Sequence, residues 1–259
     1  MPVQESNPFS QASHVYAQAR PRYPRDLYNW LLAHTSGRNA AWDCATGNGQ
    51  AATDLAPHFA RVEATDISTE QIGEGMQQAN IHYSIQPAEQ TSFLDQTFDL
   101  VTVAQALHWF DYTRFWPEVL RVSKPNALFC AWGYAWFTCD PEVDTGFVQP
   151  FRRLIEPYWA MNNRILWDGF NDEDIAFPFK RITPPRLTIQ TAWTITQLIE
   201  YMQTWSAYKH ALKNETVASG LQKLCADAAQ RFVQKGTMQI TMPLHIVAGH
   251  VMDRDETEN

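Results

Sequence analysis

Between Arg38 and Gly133, short apolar runs alternate with segments of helical spacing. No other feature of the chain restricts its fold as much. The runs are NAAWDC, RVEATDI, IHYSI, FDLVTVAQ and ALFCAWGY, and between them lie QAATDLAPHFA, STEQIGEGMQQAN and DYTRFWPEVLRVSK. Strands joined through helices are parallel, and each crossover lays a helix across one face of the sheet, so both faces are covered. Ser68, with Gln71 three residues on, has the spacing of a capping box and marks one helix start. After Gly133 the rhythm stops. Residues 134–185 are rich in aromatics, prolines and acids (TCDPEVD, NDEDIAFPF, ITPPR) and are read as a helical insertion over the sheet's carboxyl edge. RLTIQTAW then reads as a strand, TITQLIEYMQTWSAYKHAL and ETVASGLQKLCADAAQRFVQ as helices, and MQITMPLHIVAGHV as a closing strand. Of Trp193, Trp205 and Tyr208, two are expected in the core, while Met238 and Met242 read as strand filler.

At 259 residues the chain fits one large domain with an insertion. Its net charge of −8, without any long Lys/Arg run, argues against nucleic-acid or anionic-membrane partners, which need a basic face. The four cysteines (Cys44, Cys130, Cys139, Cys225) form no CxxC pair and read as free thiols of a reducing compartment. The first residues carry no apolar signal region, and no run reaches the roughly 18 apolar residues of a membrane span. These features predict a cytoplasmic protein. The eight histidines are dispersed without metal-ligand spacing, and no G-x-S-x-G elbow is present.

The stretch AWDCATGNGQAA at residues 41–52 spends two of only 11 glycines within three positions. Such a cost in backbone entropy implies positive φ or close approach of a ligand to the main chain. Strand, tight turn and helix in this order aim backbone N–H groups at a nucleotide. Gly47-Asn48-Gly49-Gln50-Ala51-Ala52 also fits the dinucleotide pattern G-x-G-x-x-[G/A], and Asp66 follows about 20 residues later, at the spacing of a ribose acid. A nicotinamide-dependent oxidoreductase is therefore a rival reading. Three features favour another nucleoside. Asp43 precedes the glycines, where it would repel pyrophosphate and attract a cationic ligand. Pro87-Ala88-Glu89 follows the third strand, in a position to meet an adenine edge. The fourth strand runs into VAQALHWFD, an aromatic and histidine cluster.

On these residues, the segment from Ala41 to Trp132 resembles the class I S-adenosylmethionine-dependent methyltransferases of the small-molecule type. Their glycine motif usually reads D-x-G-x-G-x-G-Q. Asp43, Gly47, Gly49 and Gln50 match it, and Ala45 stands at the first glycine. Asp66 matches the ribose-binding acid, FDLVTVAQALHWFD the fourth motif and LRVSKPNALF the segment L-K-P-G-G-x-L, with Asn126 and Ala127 at the glycines. VYAQARPRYP, HWFD and TWSAY further resemble the trans-aconitate methyltransferase-like subgroup. The resemblance implies an α/β fold with a doubly wound, seven-stranded, mostly parallel Rossmann-like sheet whose last strand is antiparallel. It implies an N-terminal helical lid (1–37), a cofactor-binding core (38–133), an insertion or cap (134–185), the remaining core (186–250) and a disordered tail (251–259). S-adenosylmethionine is the implied cofactor and S-adenosylhomocysteine its product. Its implied binding residues are Asp43, Ala45, Gly47, Gly49, Gln50, Asp66, Ile67, Ala88, Glu89 and Gln105.

The implied acceptor is a small molecule, of the carboxylate class, bound by Tyr16, Arg20, His108 and Trp109. His108 is the candidate catalytic group, as a base or an orienting contact. The plainer reading makes it a pocket-shaping histidine bonded to a loop carbonyl. Trp109 reads as a wall of the site. Arg20 is suited to hold a carboxylate through two parallel bonds, although YAQARPRYP also reads as an aromatic-proline turn packed on the first helix. A non-catalytic S-adenosylmethionine-binding protein is the remaining alternative, kept open by Ala45.

Overall fold

The computed structural model describes residues 21–251. Tyr16, Arg20 and most of the segment VYAQARPRYP lie outside the described residues, as does the tail beyond Val251. In chain order the elements are α1 (Arg25–His34), β1 (Ala40–Cys44), α2 (Gln50–Leu55), β2 (Arg61–Asp66), α3 (Thr69–Gly73), β3 (Ile81–Ile85), β4 (Phe98–Ala104), α4 (Tyr112–Val122) and β5 (Ser123–Tyr134). There follow α5 (Pro141–Val143), α6 (Gln149–Ile155), α7 (Asn163–Trp167), α8 (Asp172–Ile175), β6 (Lys180–Arg181), β7 (Thr188–Trp193), α9 (Ile195–Gln203), α10 (Ser206–Ala211), α11 (Glu215–Phe232) and β8 (Met238–His250). Among the described residues, one compact unit comprises Tyr23–Trp136, Asn162–Thr188 and the chain from Pro243 on. The other comprises Phe137–Met161 and Ile189–Met242.

The first unit is built on the sheet, with strand order β3-β2-β1-β4-β5-β8-β6 and β7 also paired to β8. The first five strands are parallel, and β8 runs antiparallel to β5 from Leu128↔His250 to Tyr134↔Leu244. Side chains alternate between two hydrophobic layers, as the two-residue strand period requires. Leu128, Cys130 and Trp132 join Leu27, Leu31 and Leu55 on one face. Phe129 and Ala131 join Phe115, Val119 and Val122 on the other. Both faces are covered over the central strands β1, β4 and β5, which is why these read as nearly continuous apolar runs, whereas the edge strand β3 is partly exposed.

The sheet has eight strands where seven were expected, and two prolines explain the difference. Ile182 N donates to Ala248 O at 3.0 Å and Leu244 N to Leu187 O at 2.9 Å, so one edge of β8 is followed on both sides of Thr183-Pro184-Pro185-Arg186. Proline has no N–H to give a ladder, so the pairing breaks there and the edge strand is split into β6 and β7. The segment STEQIGEGMQQAN also yields less helix than its length suggests. Ser68 Oγ accepts from Gln71 N at 3.2 Å, but α3 ends at Gly73.

The second unit is mainly helical. Thr194 and Gln197 close a capping box at the start of α9, and Asn214 caps α11. Trp193 and Tyr208 are buried and Trp205 is half-buried, with the Phe151 and Tyr208 rings stacked at 5.6 Å. Met238 and Met242 are buried strand residues. The four cysteines are free. No helix among the described residues is long and apolar enough to cross a membrane.

Candidate active site

Strand register decides which residues meet. Cys44 pairs with Thr65 on β2 and Val103 on β4, and Asp66 pairs with Ile85. The turn from Ala45 to Gln50, the run Asp66-Ile67-Ser68, the loop with Ala88 and Glu89, and residues 105–109 therefore all leave the sheet at its carboxyl edge. They lie beside the reversal of strand order between β1 and β4, where open α/β sheets bind ligands.

The glycine turn is held from beneath by Asp43. This residue was expected to meet a cationic ligand, but it is wholly buried and its acceptors face the protein. Oδ1 accepts from the Thr102 hydroxyl at 2.9 Å, and Oδ2 accepts from Ala52 N at 3.0 Å and from the Thr46 hydroxyl. Burial pushes its carboxyl up to about 6. Asp43 thus joins the two ends of the turn rather than lining the crevice. Three residues of the turn have left-handed backbone: Ala45 (φ 52°), Gly47 (φ 60°) and Gly49 (φ 85°). Gln50 opens α2 directly behind them.

Ala45 is the residue that departs from the family motif, and its φ shows the consequence. Left-handed backbone costs an L-residue about 1–2 kcal/mol, whereas glycine gives back about 0.4–1 kcal/mol through the freer unfolded chain. Ala45→Gly is therefore expected to stabilise the protein by about 0.5 kcal/mol, raising Tm by about 1–2 °C. Calorimetric melting checks the sign. A lower Tm would mean that the Ala45 methyl makes contacts worth more than the strain.

Asp66 ties two loops together: Oδ2 accepts from Gly47 N and Oδ1 from Ser68 N, each at 2.9 Å. An ionised carboxylate offers about four acceptor positions, so capacity remains for a vicinal diol. The next residue, Ile67, is 74% exposed. A large apolar side chain held open beside this carboxylate has the chemistry to face an adenine ring. Ala88 is buried below this edge, and Glu89 is half-buried with Oε1 accepting from Asp111 N at 3.1 Å. These residues fit the nucleoside part of S-adenosylmethionine. Among the described residues no group of three or more His, Cys, Asp or Glu stands ready for a metal ion.

Beyond β4 the chain turns at Gln105 (φ 60°) into a short 3-10 turn, Leu107–Trp109. Gln105 was expected on the cofactor, but its amide bonds the main chain of Tyr134 on β5, at 3.1 Å in both directions. His108 is buried and its Nδ1 has no partner among the described residues. Burial draws its pKa down from 6.5 to about 4, so the ring is neutral at pH 7. Trp109 stands 50% exposed, with its ring centroid 4.9 Å from that of His108. The His108 carbonyl accepts from Asn162 Nδ2 at 3.1 Å. This bond holds the main chain of the turn and leaves the ring's own contacts to Nε2 and Nδ1.

Thr46, Thr102, Tyr83, Tyr134 and Asn162 were not singled out in the sequence. Thr102, Tyr134 and Asn162 act across 59, 29 and 54 positions of the chain, and no local pattern announces such contacts.

A Methyltransferase domain model matches residues 42–131. A solved structure from Anaeromyxobacter dehalogenans, assigned to the type II methyltransferases without a demonstrated activity, is 32% identical. It aligns over 91% of this chain and 99% of its own, with a TM-score of 0.79. A Dictyostelium discoideum protein assigned as a methyltransferase is 28% identical over 216 residues, 82% of this chain and 81% of the relative. A Saccharomyces cerevisiae protein assigned as an S-adenosylmethionine-dependent methyltransferase is 24% identical over 228 residues, 74% of this chain and 78% of the relative. Fold, edge residues and relatives define an α/β enzyme of nucleoside-dependent group transfer. The chain belongs to the class I S-adenosylmethionine-dependent methyltransferases. Its cofactor is S-adenosylmethionine, and the antiparallel β8 with these relatives leaves the nicotinamide reading unsupported.

Proposed function

We propose that the chain transfers the methyl group of S-adenosylmethionine to a small-molecule acceptor of the carboxylate class, oriented by His108 and Trp109. The observation that supports this reading is the buried His108 imidazole, just beyond β4 at the sheet's carboxyl edge, with Nδ1 unpartnered among the described residues. An unpaired buried polar atom costs about 1–3 kcal/mol, and such an atom beside a crevice suits a group that awaits a ligand. Asp66, Ile67, Ala88 and Glu89 hold the nucleoside in this reading, and the turn Ala45–Gly47–Gly49–Gln50 approaches the rest of the cofactor. When bound, the cofactor supplies an already activated methyl on a sulfonium centre, so the protein's share is orientation and exclusion of water.

A carboxylate acceptor is ionised at pH 7 and needs no base. Neutral His108 then orients it, and Trp109 walls the site. The carboxylate class itself is supported by the resemblance of VYAQARPRYP, HWFD and TWSAY to the trans-aconitate methyltransferase-like proteins. Tyr16 and Arg20 are its proposed contacts, within an N-terminal lid. Arg20→Lys is expected to raise KM, because lysine lacks the planar fork.

Calorimetry with S-adenosylhomocysteine and with NAD, followed by a labelled-methyl screen of small mono-, di- and tricarboxylates, tests the proposal. Turnover of amines or phenols alone would overturn the carboxylate class. His108→Ala is expected to lower kcat/KM by about tenfold, mostly through KM. A loss confined to kcat would mark His108 as a base instead. Because burial holds His108 neutral, protonation below its ordinary 6.5 is resisted until about 4. The acid limb of kcat/KM should therefore fall near the lower value, since that profile reports the free enzyme. A limb at 6.5 would show an open, solvated imidazole.

A further inference from the structure

The ladder between β4 and β5 runs in register as far as Ala104↔Trp132. Gln105 N then donates to Trp132 O at 2.8 Å, and the main chain leaves the sheet with Gln105 at φ 60°. Its side chain makes the rung that would follow. Oε1 accepts from Tyr134 N and Nε2 donates to Tyr134 O, both at 3.1 Å. A carboxamide carries the same donor and acceptor pair as a peptide group, so it can replace the departed backbone. Gly133 leaves the room for it: a Cβ there would lie 2.5 Å from Gln105 Oε1 and 2.6 Å from Leu166 Cδ1. Left-handed backbone at a non-glycine residue persists only where its surroundings over-determine it. The far end of the same turn is held by Asn162 Nδ2 on the His108 carbonyl.

We propose that Gln105 is a positioning residue whose side-chain rung to Tyr134 fixes where the chain leaves β4 and so aims the Leu107–Trp109 turn. The rung sets the burial and direction of His108 without touching the cofactor. Its importance for methyl transfer rests on the reading of His108 given above.

The test uses imidazole NMR of the full chain, with the His108 signal assigned by its absence in His108→Asn. This readout needs no acceptor. Gln105→Gly removes the rung together with the backbone strain. Gln105→Glu keeps the shape and an acceptor for Tyr134 N, but has no donor for Tyr134 O. In both variants the His108 signal is expected to shift, and its titration midpoint to rise from about 4 toward 6.5 as burial is lost. The affinity for S-adenosylhomocysteine is expected to change by less than about threefold. An unmoved His108 signal in the folded variants would overturn the proposal. So would a loss of about tenfold or more in S-adenosylhomocysteine affinity, which would make Gln105 a cofactor ligand. Unfolding of both variants would also overturn it, leaving the rung purely structural. Separately, if His108→Ala turned over carboxylates like the unmodified protein, the acceptor reading would fail while the spectral test of Gln105 would stand.

Discussion

Gly49→Ala is expected to destabilise the protein by about 2–5 kcal/mol, from left-handed strain of about 1–2 kcal/mol and overpacking of about 1–3 kcal/mol. The geometry leaves little room for relief. Gly49 has φ 85°, and a Cβ there would stand 2.0 Å from Tyr83 Oη and 2.9 Å from its Cζ. The tyrosine cannot swing aside freely, because its hydroxyl donates to Met76 O at 2.9 Å and its ring packs over Gly75. For a chain of this size the loss corresponds to a fall in Tm of about 5–15 °C, read by calorimetric melting. In a Tyr83→Leu background the same substitution should cost less, because the steric part disappears and the backbone part stays. An unchanged Tm would mean that the turn is not held in this conformation. Equal cost in both backgrounds would place the whole effect on φ.

Asp66→Ala is expected to weaken S-adenosylhomocysteine binding by about 10- to 100-fold, since charge-assisted bonds to two hydroxyls contribute about 1.5–3 kcal/mol each and part of that is recovered by water. The same change frees Gly47 N and Ser68 N, which now donate to this carboxylate. Asp66→Asn separates the two effects. It keeps an acceptor for one loop and removes the charge, so it should fall between the alanine variant and the unmodified protein. Titration calorimetry gives the dissociation constants, and melting curves show whether the fold is intact. Unchanged affinity in Asp66→Ala with an intact fold would remove Asp66 from the cofactor site.

The strands were legible because each is a short apolar run closed by a turn signal, and burial on both faces leaves such runs uninterrupted. AAWDC, RVEATD and FDLVTVA are strands almost to the residue. The edge of the sheet was less legible. Lys180–Arg181 carries no strand pattern, and only its pairing with β8 makes it one. The direction of β8 was readable through resemblance alone, since periodicity says nothing about orientation.

Within the proposed site, spacing singled out the glycine turn and Asp66, and the structure brings the two together through the bond from Gly47 N to Asp66. Asp43, from its place before the glycines, and Gln105, from the segment that resembles the fourth motif, were assigned to the ligand. The fold turns both inward, Asp43 to Thr46, Ala52 and Thr102, and Gln105 to Tyr134. A carboxylate or an amide at a strand end looks the same in sequence whether it faces a crevice or the protein. That choice depends on which donors lie within hydrogen-bond reach, and Thr102 and Tyr134 are brought there by neighbouring strands. The sequence by itself determined the parallel α/β architecture and the place of the glycine turn after β1, because both follow from local periodicity and backbone freedom. Only the tertiary structure decided which polar groups were satisfied by the protein and which, like His108 Nδ1, have no partner among the described residues. Hydrogen-bond satisfaction is a property of neighbours in space, and residues 54 positions apart, as Asn162 and His108 are, become neighbours only through the fold.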